Sequence, residues 1–119
     1  MPPKHNPLRL NKLQLKTLTL FQELALSPET STAREDGGAL ITSLPQPHGN
    51  HFHLGAGVVM AADATGLKNQ SVWRALERKA LIQSRFPTAL ILTEAGKSYD
   101  TGLREQILHL ADHSARLAL

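Results

Sequence analysis

Three changes of hydrophobic period fall inside one stretch, residues 54–99 (LGAGVVMAADATGLKNQSVWRALERKALIQSRFPTALILTEAGKSY), and they leave few ways to fold it. Small residues open the stretch, and a tight turn is expected at Thr65-Gly66-Leu67. Val72, Trp73, Leu76 and Ala80 then recur at helical spacing. Two short apolar runs, LIQSRF and TALILT, bracket Pro87 and read as paired strands. Thr93 and Glu94 mark a new helix start. The order is a slim helix, a turn, a basic helix, a hairpin and a further helix.

Each junction has a local chemical reason. Gly55, Ala56, Gly57, Ala61, Ala62 and Ala64 would make the first helix slim enough for a second to cross closely. The glycines cost ~1 kcal/mol each relative to alanine in a helix interior, so packing has to compensate. Gly66 suits the left-handed position past a helix end. Asn69 caps the helix that follows, whose outward face carries Gln70, Ser71, Arg74 and Arg78, with Lys68 beside it. Thr93 caps the next helix, and Glu94 in its first turn complements the helix dipole.

Before this stretch, residues 1–10 contain three prolines and are expected to fray. A helix is expected over 11–26, capped by Asn11. Leu13, Thr17, Leu20, Phe21 and Leu24 form one apolar face, which Leu15, Leu18 and Leu26 widen; burial on two sides, in a core or across a dimer, would explain the width. SPETSTAREDGG (27–38) reads as a loop. ALITSL and HFHL, within 39–54, would close a hairpin around Gly49-Asn50. At the other end a helix is expected over 93–116, weakened at Gly102. Leu103, Ile107, Leu110, Ser114 and Leu117 form a short heptad-like seam on it.

Charge and composition narrow the classes. The 119 residues carry a net charge of +3, and the surplus lies in 67–97, where Lys68, Arg74, Arg78, Lys79, Arg85 and Lys97 face only Glu77 and Glu94. A phosphate-binding face needs such a concentration. Aromatics are only 4% of the chain, so Leu, Ala, Val and Ile must build the core, which suits helices better than a β-sandwich. With no cysteine there are no disulfides and no thiolate metal sites. No apolar run approaches the ~18–20 residues of a membrane span, so no membrane partner is expected. The amino terminus lacks the apolar core of a signal peptide, and the expected location is cytoplasmic.

NQSVWRALERKALI followed by FPTALILTEAGKSY resembles the recognition helix, wing and following helix of winged-helix transcription regulators of the MarR-like and PadR-like groups. The resemblance covers about 54–99 and rests on 72–82 together with LTEAG. It implies a mainly α fold with a small β component, a winged helix-turn-helix with additional N- and C-terminal helices. Within a single domain over 11–119, the helix-turn-helix would occupy 55–80 and the wing 81–92. It implies double-stranded DNA as partner, a homodimer, and DNA contacts from Lys68, Asn69, Gln70, Ser71, Arg74 and Arg78, with Arg85 in the wing. Alanine stands at position 80 where the family usually has glycine, which requires the backbone there to stay helical.

The six histidines suggest other chemistry. His51 and His53 share a face if they lie on a strand, and His48 would fold over from the turn. His109 and His113 are i, i+4 on the expected last helix. Either set would grip a divalent metal. No other cofactor is implied. Solvated polar side chains would give the same spacings.

The leading expectation is therefore a dimeric winged-helix regulator that binds specific DNA sequences. The alternatives are a winged helix used for protein interaction without DNA, and a His-rich metal-binding or metal-responsive module. An enzyme is not expected: GAG at 55–57 lacks the rest of a phosphate loop, no serine sits in a nucleophile elbow, and the carboxylates are scattered.

Overall fold

A computed structural model describes residues 6–46, 49–54 and 57–110. The central helix, α1 (Lys12–Ala25), starts at a reciprocal cap. The Asn11 side chain accepts from the Gln14 amide at 2.8 Å, and the Gln14 side chain accepts from the Asn11 amide at 3.0 Å. Leu15, Leu18, Leu20, Phe21 and Leu24 are buried, so the wide apolar stripe is filled by the protein's own core. Two threonines in the buried stripe need partners. Thr17 donates to the Leu13 carbonyl, while Thr19 donates to the Leu15 carbonyl and lies 2.6 Å from the Thr101 hydroxyl.

Two antiparallel sheets lean on α1. The first is formed by β1 (Ser31–Ala33), β2 (Ala39–Ile41), β5 (Ile82–Arg85) and β6 (Ala89–Leu92), in the order β1-β2-β6-β5. The second is formed by β3 (His51–Leu54), β4 (Gly57–Met60) and β7 (Leu108–Leu110), in the order β3-β4-β7. The remaining helices are α2 (Gln70–Arg78), α3 (Glu94–Ser98) and α4 (Arg104–Ile107), with 3₁₀ turns at Ala61–Asp63 and Thr65–Lys68. Among the described residues no helix is long and apolar enough to cross a membrane.

The expected fold class is thus corrected. Among the described residues 39% are helical and 24% lie in strands, an α+β arrangement rather than a mainly α one. The first helix of the expected helix-turn-helix is absent as an α-helix. Its place is taken by β4 and the two 3₁₀ turns. Val58 and Val59 favour a pleated strand, and β4 lies between β3 and β7, which together satisfy its backbone. Gly66 has no left-handed backbone either. Its role is closeness: a Cβ there would sit 1.7 Å from the Thr17 hydroxyl of α1.

Strand pairing also departs from expectation. The loop expected at 27–38 contains β1, and the hairpin joins β1 to β2 through the REDGG turn, where Asp36 Oδ1 accepts from the Gly38 amide at 2.9 Å. β2 then pairs with β6 rather than with β3. The single helix expected over 93–116 is broken at Gly102, whose φ of +69° only glycine adopts readily, and Asp100 Oδ1 accepts the Gly102 amide. Leu103 and Ile107 of the expected seam are buried in the core, Leu110 ends β7, and Ser114 and Leu117 lie outside the described residues.

Of the tail expected at 1–10, residues 1–5 lie outside the described residues. From Asn6 onward the chain is tied down: Tyr99 donates its hydroxyl proton to Asn6 Oδ1 and accepts from the Leu8 amide at 3.1 Å. Leu10 is buried in the core.

Trp73 closes the core. It is fully buried, its ring meets Phe21 of α1 edge-on at 5.2 Å and Phe86 at 5.0 Å, and its indole N–H donates to the Gly66 carbonyl at 3.1 Å. An indole buried with its one donor satisfied contributes apolar area without an orphaned N–H.

Candidate nucleic-acid interface

The α2 helix is built to present one face. Asn69 Oδ1 accepts from the Ser71 and Val72 amides at 3.0 and 3.3 Å, which fixes where the helix begins. Val72, Trp73, Ala75 and Leu76 are buried, whereas Gln70, Ser71, Arg74, Glu77 and Arg78 are exposed. The inner face is therefore held by the core, and the outer face is left to solvent or a partner. Lys68, in the 3₁₀ turn before the helix, is exposed as well.

Its C-terminus is a Schellman cap. The Leu81 amide donates to the Leu76 carbonyl at 3.0 Å and the Ala80 amide to the Glu77 carbonyl at 2.9 Å. Ala80 sits at the left-handed position, with φ +63°, and is exposed. The expectation that it continues the helix and faces inward is corrected: the helix reverses here, which is where a glycine ordinarily stands.

The β5–β6 hairpin lies beside this end of the helix. Its turn contains the cis Phe86–Pro87 bond, and the Thr88 amide donates to the Arg85 carbonyl at 3.1 Å. Glu77 Oε2 accepts from the Ser84 amide at 2.9 Å, so the one acidic side chain on the outer face of α2 is engaged on β5. Gln83 and Arg85 alternate on the exposed face of β5. Gln83 and Lys79 were missed by sequence reasoning. The period of two in β5 could have revealed Gln83, because it puts that residue on the face of Arg85.

Electrostatics separates this region from the rest. Ion pairs join Lys16 to Asp63 at 2.7 Å, Arg34 to Asp36 at 3.4 Å, and Arg104 to Glu23. Glu23 holds the Arg104 guanidinium even more firmly protonated than usual. Among the described residues, Lys68, Arg74, Arg78, Lys79 and Arg85 have no carboxylate within ion-pair range. The uncompensated cations thus belong to the α2–β5 segment.

The DNA contacts expected at Lys68, Gln70, Ser71, Arg74, Arg78 and Arg85 all fall on exposed positions of that segment. Asn69 is different, because its amide oxygen is already used by the helix cap.

The expected metal clusters are not assembled as drawn. His51 and His53 do share a face of β3, with their Nε2 atoms 3.2 Å apart. His109 lies on strand β7 rather than a helix, so an i, i+4 grip with His113 is not available from the expected helix. Its register partner is Val58, which is paired on its other side with His53. His48 and His113 lie outside the described residues. Among the described residues, no group of three or more His, Cys, Asp or Glu side chains could hold a metal.

No family model matches the chain, and no curated protein or solved structure matches it.

Proposed function

We propose that the protein binds double-stranded DNA through the outer face of α2, acting in the cytoplasm as a homodimeric transcription regulator. The observation that carries this reading is the cluster of exposed cations without carboxylate partners, Lys68, Arg74, Arg78 and Arg85, on one capped helix and the hairpin beside it. Lys68 and Arg85 suit phosphates, while Gln70, Ser71, Arg74 and Arg78 offer the donor and acceptor groups that read base edges in a major groove. Two copies on a palindromic site would supply the discrimination that one nine-residue helix lacks.

Duplex is favoured over single strands by where the aromatics are. The chain has five: Phe21, Phe52 and Trp73 are buried, Phe86 packs on Trp73, and Tyr99 is bonded to Asn6. None offers the stacking platform that single-strand recognition uses.

The test is fluorescence anisotropy with labelled duplex DNA at ~50 mM salt, where electrostatic binding is strong. Arg74→Ala combined with Arg78→Ala should weaken binding by on the order of a hundredfold. The salt dependence should flatten by a slope of ~1.8 if both contact phosphate. Unchanged binding by the double variant would overturn the assignment of this face.

One observation favours a second reading, a protein-interaction module without DNA. Phe86 anchors the hairpin turn to Trp73, so the turn does not extend far from the core. Absence of DNA affinity at low salt, with a co-purifying partner whose binding needs Arg74 and Arg78, would favour it.

A further inference from the structure

The outer face of the β3–β4–β7 sheet holds a second group of chemistry-bearing side chains, independent of the α2 surface. His51 and His53 stand two residues apart on β3, so both point to that face. Their Nε2 atoms are 3.2 Å apart and their rings meet edge-on at 4.9 Å. Met60 is the register partner of His51 across the β3–β4 pair and is therefore on the same face. It is 39% exposed, one of two large hydrophobic side chains among the described residues that are. The Ala61 amide donates to the Asn50 carbonyl at 2.7 Å just beyond this pair, which fixes the register of His51 against Met60.

The geometry points to a copper site formed by Nε2 of His51, Nε2 of His53 and the thioether sulfur of Met60. Two nitrogen ligands each ~2.0–2.1 Å from one ion, at an angle of ~105–110°, stand ~3.3 Å apart, which is close to the separation of the two imidazoles. Hard cations such as Mg²⁺ and Ca²⁺ need oxygen ligands, which this set lacks. A thioether beside imidazoles selects copper, above all Cu(I), over zinc.

Asn50 supports the ligand atoms. Its Oδ1 lies 3.5 Å from Nδ1 of His51. An amide oxygen only accepts, so it favours the proton on Nδ1 and leaves Nε2 of His51 with a lone pair. The proton between the two Nε2 atoms then belongs to His53. When copper binds, two N–Cu bonds and one S–Cu bond form. The proton leaves Nε2 of His53 for solvent and Nδ1 of the same ring takes one up, so the charge gained is that of the ion.

The experiment uses the full chain without a histidine tag, titrated with Cu(I) under ascorbate and without oxygen, in competition with a chromophoric Cu(I) chelator. The wild type should bind one Cu(I) per chain. His53→Ala and Met60→Leu should each weaken it by at least the roughly ten- to hundredfold that an outer-sphere partner is worth. His109→Ala should bind as the wild type does. X-ray absorption should show sulfur in the coordination shell of the wild type and none in Met60→Leu. Circular dichroism checks that each variant folds, which is expected because His53 and Met60 are exposed. No stoichiometric Cu(I), equal affinity after His53→Ala, or equal affinity after Met60→Leu would each overturn the proposal.

Discussion

The indole N–H of Trp73 donates to the carbonyl of Gly66 at 3.1 Å. This bond joins the buried centre of α2 to the 3₁₀ turn that leads into it. The same glycine is pressed against α1, where Thr17 leaves no room for a Cβ.

Gly66→Ala is therefore expected to destabilise the fold by roughly 2–3 kcal/mol, the upper part of the range for overpacking a tight core. Urea denaturation measures it. The closest atom is the Thr17 hydroxyl, so Thr17→Ala in the same chain should recover part of the loss. Strict additivity of the two changes would contradict the contact.

Ala80→Gly should do the opposite. The left-handed conformation at the Schellman position costs an L-residue roughly 1–2 kcal/mol, and glycine escapes most of that at the expense of a more flexible unfolded chain. A net gain of about 0.5–1 kcal/mol, or a few degrees in the thermal midpoint, is expected. A loss of stability would mean that this backbone is not left-handed in solution.

Glu77→Gln separates fold from surface. Losing the charge weakens the bond to the Ser84 amide, at a cost of about 1 kcal/mol, and the Ser84 amide should exchange faster with deuterium. It also removes a negative charge from the exposed face of α2, so duplex DNA should bind more tightly, with the difference shrinking as salt rises. Weaker DNA binding by this variant would count against the α2 face.

Asp36 gives the β1–β2 turn a pH dependence of known sign. The Gly38 amide, then the Arg34 guanidinium, lower its pKa below the usual carboxylate range, against a small opposing effect of desolvation. A depressed carboxyl contributes stability that is present above its unfolded pKa and is lost as pH falls through its folded pKa. Protonation of Asp36, followed by carboxyl ¹³C shifts, should have a midpoint below that of an unstructured aspartate. Protection of the Gly38 amide should fall with the same midpoint, and Asp36→Ala should abolish that dependence.

What was legible in the sequence was what local chemistry decides. Asn11, Asn69 and Thr93 cap helices where expected, and the inward spacing of Val72, Trp73 and Leu76 holds. What was illegible depends on distant partners. β1 has only three residues, too few to show a period. β4 is rich in small residues and reads locally as a slim helix, yet β7, about fifty positions away, completes its pairing. Leu108 and Leu110 fit a helical seam with Leu103 and Ile107, and the break at Gly102 releases them into a strand. The exposed basic positions of the α2 segment were readable because charge on a capped helix needs no long-range information. The pairing of His51 with Met60 was not, because it depends on the β3–β4 register.

Phe21, Trp73 and Phe86 come from α1, α2 and the β5–β6 turn, and their edge-on contacts tie all three elements to one centre. A partner that docks on α2 and Arg85 consequently meets a surface whose backbone is already ordered. The entropic cost of association then falls mainly on the long exposed side chains, so rigidity set in the core becomes affinity at the surface.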